Sequence, residues 1–111
     1  MKVAIVGSRN VTKVNLQTYL PKDTTEIVSG GAKGVDSLAA YYANANGIRL
    51  TLFLPEYDRY GRAAPLKRNE KFVAYSDCVL AFWDGMSSGT RHVLELCRKT
   101  QTPVQVIPTD T

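Results

Sequence analysis

Glu26-Ile27-Val28-Ser29-Gly30-Gly31-Ala32-Lys33-Gly34-Val35-Asp36-Ser37-Leu38-Ala39 passes from a β-branched apolar run, through a glycine-rich turn, into the start of a helical stripe. Val35, Leu38, Ala39, Tyr42 and Ala43 recur at i, i+3, i+4, i+7 and i+8, the spacing of a helix laid on a sheet. Strand, turn and helix in that order make one βα unit, and the same order repeats on either side of it. Lys2 to Val6 runs into Gly7-Ser8-Arg9, and Asp77 to Phe82 runs into Trp83-Asp84-Gly85-Met86-Ser87-Ser88-Gly89-Thr90. Leu50 to Leu54 and Val104 to Ile107 complete the set of short apolar runs expected of strands covered on both faces.

A weaker stripe near Thr12 to Leu20 marks the first helix. Pro65 suits the first turn of a third, where its missing N–H has no partner. Thr90, Val93, Leu94 and Cys97 space out the last helix, and Pro103 separates it from the final strand. The expected fold class is α/β, a Rossmann-like three-layer sandwich with five parallel strands and about four helices in one domain over 1–111. Right-handed crossovers then gather every strand-to-helix turn at the carboxyl edge of the sheet, where ligands of such folds bind.

The 111 residues carry 14 Lys and Arg against 10 Asp and Glu, a net charge of +4 that attracts anions without choosing among them. At this length roughly 65% of the unfolded surface is buried on folding, enough for a core without staples. No apolar run approaches a membrane span, the longest being Cys78 to Trp83, and the apolar Met1 to Val6 stops too soon for a secretory signal; the expected location is cytoplasmic, away from membranes. Cys78 and Cys97 lie among apolar neighbours without CxxC spacing, which favours buried thiols over a disulfide or zinc site. With the single histidine, His92, no Cys/His cluster can be assembled, so neither metal nor cofactor is expected.

Three glycine-bearing turns on one edge point to phosphate. Glycine lets backbone approach a ligand, and each following helix offers unpaired N–H groups to an anion. For any single turn, geometry alone accounts for the glycines equally well. Neither GxGxxG nor GxxxxGK[ST] is present, which makes standard dinucleotide enzymes and P-loop ATPases poor fits.

In combination, Gly7-Ser8-Arg9, Ser29-Gly30-Gly31-Ala32-Lys33-Gly34-Val35-Asp36, Arg68-Asn69 and Ser88-Gly89-Thr90 resemble the ordered motifs of the SLOG superfamily. This Rossmann-like superfamily includes the DNA-processing Smf/DprA proteins, the Lonely Guy phosphoribohydrolases and the small stand-alone YspA/YpsA-like proteins, to which the pattern is most similar. The resemblance implies a strand order of 3-2-1-4-5, a nucleotide or nucleotide-derived ligand on the Gly-rich turns, and a homo-oligomer. In the phosphoribohydrolases a catalytic glutamate follows the final Gly-Thr. Here Arg91, His92 and Val93 follow, and Glu95 lies too far along.

The ligand set expected on these grounds is Gly7, Ser8 and Arg9; Ser29, Gly30, Gly31, Ala32, Lys33, Gly34 and Asp36; Arg68 and Asn69; and Asp84, Gly85, Ser87, Ser88, Gly89 and Thr90. The Arg68 fork suits phosphate, and Asn69 suits a ribose or base edge; a solvated Arg68 paired with a carboxylate is the competing account. Weak catalytic candidates are Arg68, Glu70 and His92, the last because imidazole titrates near neutrality, although an exposed helix face explains it as well. Asp36 most simply stabilises the first turn of its helix. Tyr57, Tyr60 and Trp83 are candidates for base stacking, with core packing an equal account of Trp83.

Two functions compete. One is binding of a small nucleotide-type molecule, by a sensor, a sequestering module or a hydrolase of an N-glycosidic or phosphate bond. The alternative is single-stranded nucleic-acid binding, for which Arg59, Arg62, Lys67, Arg68 and Lys71 interleave with Tyr57 and Tyr60, diluted by Glu56, Asp58 and Glu70. Salt dependence separates them, being steep for a polyphosphate strand and shallow for one nucleotide.

Overall fold

A computed structural model describes residues 1–9, 11, 13–31 and 34–109. Strands β1 (Lys2–Gly7), β2 (Glu26–Ser29), β3 (Arg49–Leu52), β4 (Cys78–Trp83) and β5 (Val104–Pro108) form one sheet ordered β3-β2-β1-β4-β5. Every pairing is parallel, with Ala4 opposite both Val28 and Val79 at the centre. This is the expected α/β architecture and strand order.

Period-two alternation splits the core into two layers. Val3 and Ile5 of β1 join Ile27, Leu80 and Phe82 on one face, beneath α1 (Leu16–Tyr19) and α2 (Val35–Ala45). Ala4 and Val6 join Val28, Val79 and Ala81 on the other, beneath α4 (Ala64–Tyr75) and α5 (Ser88–Thr100). Both clusters are buried, as continuous apolar runs in central strands require.

Local signals set the ends of the helices. Gly34, before α2, has φ of 76°, and a Cβ there would lie 2.6 Å from the Arg9 carbonyl oxygen, so only glycine fits. Pro65 occupies the first turn of α4. Helix α5 carries Arg98 and Lys99 in its last turn and closes on Gln101 in the left-handed region.

Several boundaries differ from those read in the sequence. The first helix contracts to Leu16–Tyr19, its start set by Asn15 Oδ1, which accepts from the Thr18 amide at 3.2 Å; the expected start at Thr12 lies outside the described residues. Strand β3 stops at Leu52, and the connection beyond it holds a short α3 (Tyr57–Tyr60) and a 3-10 turn (Gly61–Ala63). Coverage on both faces fails at the edges: Leu52 of β3 is exposed, and Ile107 alone is buried in β5. Cys97 is buried and Cys78 half-buried, both as free thiols.

Candidate functional site

The strand order reverses between β1 and β4, so the connections leaving their carboxyl ends run to opposite faces of the sheet and leave a crevice between them. A cavity of about 750 Å³ fills it. Gly7, Ser8 and Arg9 enter from the β1 turn, Gly30 from the β2 turn, Asp36 from α2, Arg68 and Asn69 from α4, and Asp84 with Ser87, Ser88, Gly89 and Thr90 from the turn into α5. Residues far apart in the chain are thus drawn to one rim.

The turn after β4 is self-supporting. Asp84 Oδ1 accepts from the amides of Met86 at 2.8 Å and Ser87 at 2.9 Å, and these bonds hold its carboxyl below the ordinary aspartate value. The Asp84 amide in turn donates to Ser8 Oγ at 3.1 Å, tying the β1 and β4 turns together. Ser87, the residue that opens α5, makes no side-chain capping bond among the described residues. The first amides of α5 are thus left uncapped by Ser87 at the cavity, with the Asp84 carboxylate beside them on the Met86 and Ser87 amides.

Arg68 is half-buried, and its guanidinium is committed on one edge. Nη1 donates to the Gly30 carbonyl oxygen at 2.6 Å and Nε to Asn69 Oδ1 at 2.8 Å. Burial lowers its pKa from the usual arginine value, with the negative charge of Asp36 acting in the opposite sense; a guanidinium stays charged regardless. Among the described residues its hydrogen-bond partners are thus a carbonyl and an amide, with the Asp36 carboxylate acting on it through charge. Asn69 is 5% exposed and also meets His92, Nδ2 to Nδ1, at 3.1 Å.

Other expected residues lie elsewhere. Ser29, Gly31, Gly34 and Gly85 do not line the cavity, and the Gly31 amide donates to Ser29 Oγ at 3.2 Å rather than into the site. Ala32 and Lys33 lie outside the described residues. Glu70 is on the exposed side of α4, 3.8 Å from Lys67, too far round the helix to serve the rim. His92 is not on an open helix face but joins α5 to α4 through Asn69. Trp83 Nε1 donates to the Ser87 carbonyl oxygen at 3.1 Å, and the Arg91 guanidinium lies 5.8 Å from its ring, so that ring packs within the turn.

Tyr57 and Tyr60 sit on α3, away from the cavity, rather than in an open loop. Tyr60 lines a second hollow of about 150 Å³ with Lys71, Glu56 and Leu54, and Arg68 belongs to the walls of both hollows. The cations of Arg59 and Lys71 each lie 5.2 Å from the Tyr60 ring. Arg62, in the 3-10 turn, lines the main cavity although its sequence context marks it only as part of a basic stretch. Pro65, Leu66, Phe72 and Val93 supply an apolar wall that no motif announces.

Chemically this is a site rich in donors. Arg9, Arg62 and Arg68 converge on it with the start of α5, and Asp36 and Asp84 are its lining carboxylates among the described residues. No cluster of three His, Cys, Asp or Glu side chains suited to a metal occurs among those residues, and no helix there is long and apolar enough to cross a membrane.

No family model matches the chain. Among solved structures it is similar to DNA processing protein A from Helicobacter pylori, described for its single-stranded DNA binding mode, with a TM-score of 0.76 and 27% identity over 99% of this chain and 66% of that one. It is 28% identical over 111 residues to the tRNA modification GTPase MnmE of Lactococcus lactis, covering 96% of this chain but 24% of that protein. The chain thus spans a quarter of the GTPase and about two thirds of the DNA-processing structure. It shares with the latter a Rossmann-like layout of the Smf/DprA kind. The Gene 61 protein of Mycobacterium phage D29 is 36% identical over 84 residues, 70% of this chain and 67% of that protein. The chain belongs to the family of that phage protein.

Proposed function

We propose that the protein binds single-stranded nucleic acid along the carboxyl edge of its sheet, with one nucleotide unit seated in the main cavity. The observation that carries this reading is the convergence of Arg9, Arg62 and Arg68, from three separate segments, on a cavity that also receives the uncapped start of α5. Phosphate is the group such a set of donors suits. The likeness to a structure described for single-stranded DNA binding supports a strand over a free nucleotide.

The hollow beside Tyr60 gives the strand a second station. Arg68 stands in the wall between the two hollows, where it can meet the phosphate joining two successive nucleotides. Stacking of the next base on Tyr60 contributes about 1–3 kcal/mol and tolerates any base. Tyr57, 60% exposed, adjoins this path. The glycine turns position the backbone rather than read sequence, so little base specificity is expected.

A free nucleotide is the second reading, favoured by the cavity volume, which falls within the usual range for small-molecule sites. Hydrolysis would draw chiefly on Asp36, because Asp84, its carboxyl lowered by the turn amides it holds, is a weak base and Glu70 lies outside. The finer placement among small stand-alone YspA-like proteins rests on the turn motifs alone.

Titration of labelled oligothymidylate and of nucleoside monophosphates at several salt concentrations tests the proposal. Contacts to about three phosphates give a log–log slope near −2 for a single strand. Tight binding of monophosphates with a shallow slope would replace the strand with the free nucleotide. No binding of the oligonucleotide at low salt would end the proposal.

A further inference from the structure

We propose that His92 is a positioning residue, holding Arg68 in its binding pose through Asn69, and that it does so only as the neutral ring protonated at Nε2. What Arg68 grips is taken from the single-strand reading above; the direction of the relay follows from hydrogen-bond chemistry.

Arginine has donors and no acceptor. Its Nε–H therefore fixes the Asn69 amide with Oδ1 toward Arg68, at 2.8 Å. Nδ2 is then left to face His92 Nδ1 at 3.1 Å, and because an amide nitrogen only donates, Nδ1 must supply the lone pair. The ring proton resides on Nε2. At the far end Nη1 holds the Gly30 carbonyl oxygen at 2.6 Å, so the β2 turn, α4 and α5 are joined in one donor-to-acceptor sequence. Asn69 is buried, and a partner lost there is not readily replaced by water.

Protonation at Nδ1 sets a donor against a donor. Flipping the amide restores the His92 contact but turns the NH2 group toward Arg68 Nε, so Arg68 loses its anchor either way. Affinity for an anionic strand then falls on acidification. A histidine that gripped phosphate itself would act in the opposite sense, binding more tightly as it charged.

The groups around the relay are Arg68 from α4, Arg91 and Glu95 flanking His92 along α5, and Arg9, Arg62, Asp36 and Asp84 on the shared cavity. Histidine is the side chain that ordinarily titrates between pH 5 and 8, and the chain has one. Burial pushes both thiols up, away from that window. The Met1 amine is tied to the Asp23 carbonyl oxygen, by the amino end of β1 rather than the rim.

Nitrogen NMR of the His92 ring, with titration of labelled oligothymidylate between pH 8 and 5.5, tests the proposal on the wild type, His92→Leu and His92→Asn. The expected tautomer carries its proton on Nε2. Wild-type affinity should fall about three- to tenfold across the ring titration seen in the same samples. His92→Leu should bind weakly and without this pH step, whereas His92→Asn, whose Oδ1 can take the place of Nδ1, should bind tightly and without it. A proton on Nδ1, affinity that rises on acidification, or wild-type binding by His92→Leu would overturn the relay. If the wild type binds no oligonucleotide at any pH, the single-strand reading fails, and the tautomer still decides the relay.

Discussion

Arg68 Nη1 donates to the Gly30 carbonyl oxygen at 2.6 Å, and a Cβ placed on Gly30 would lie 2.6 Å from that same nitrogen. The absent side chain is what lets the guanidinium lie across the β2 turn. Gly30→Ala should therefore displace Arg68 while sparing the fold, since the obstructing atoms are the end of a flexible side chain. Stability should stay within about 1 kcal/mol of wild type, and oligonucleotide affinity should drop about tenfold. Gly7→Ala should do the reverse, because its Cβ would meet Val35 Cγ2 at 2.5 Å and the Phe82 carbonyl oxygen at 2.7 Å, costing about 1–3 kcal/mol. Denaturant midpoints beside titrations check the pair; equal destabilisation by both would make Gly30 a structural glycine only.

Arg68→Lys should fail nearly as fully as Arg68→Ala. The two anchoring bonds leave from different nitrogens of one rigid plane, Nε and Nη1, and an ammonium cannot reproduce that fork. Loss of about ten- to a hundredfold in affinity is expected for both variants. Binding of the lysine variant at wild-type strength would show that charge alone suffices.

The sheet was legible because its central strands announce themselves twice, by unbroken apolar runs and by the glycine turns that follow. Val3 and Ile5 face one layer and Ala4 and Val6 the other, so both layers can be read from one strand. The end of β3 was not legible. Phe53 and Leu54 continue the apolar run, yet the Phe53 amide makes its bond to the Ser29 carbonyl oxygen just past the strand, and Leu54 is 60% exposed beside Gly31. The polar stretch after Pro55 reads as loop, but the Tyr60 amide bonds to the Glu56 carbonyl oxygen and closes a helical turn. The rim motifs were visible as motifs; their division of labour was not. Whether a glycine amide faces a ligand or a serine, as Gly31 faces Ser29, depends on local geometry, and the partner of His92 lies 23 residues away on another helix.

Asp84 should prove a scaffold for the rim rather than a base. Its carboxylate is held ionised by the Met86 and Ser87 amides, which shape the entry to α5. Asp84→Asn keeps an acceptor for those amides and removes a negative charge from an anion site, so affinity for oligonucleotide should rise about two- to fivefold. Asp84→Ala loses the acceptor as well and should weaken binding. If both substitutions weaken it equally, the charge itself is required and this account of the turn is wrong.

At the opposite edge of the sheet, Glu26 gives the fold a dependence on pH that the binding site does not share. Its Oε2 accepts from Tyr75 OH and from Thr51 Oγ1 at 2.7 Å, and these bonds, Tyr75 first, hold its carboxyl below the usual glutamate value. A carboxyl lowered in the folded state contributes stability that is present above its unfolded value and lost as pH falls through the folded one. Tyr75→Phe removes the larger cause. It should destabilise the protein at pH 7, with the gap to wild type narrowing once acid has protonated Glu26 in both. Chemical denaturation from pH 7 down to pH 3 measures that gap, while oligonucleotide affinity at pH 7 should be unchanged. A gap of constant size across the whole range would assign the loss to packing of the Tyr75 ring against Phe53, 5.3 Å between centroids, and not to the carboxylate.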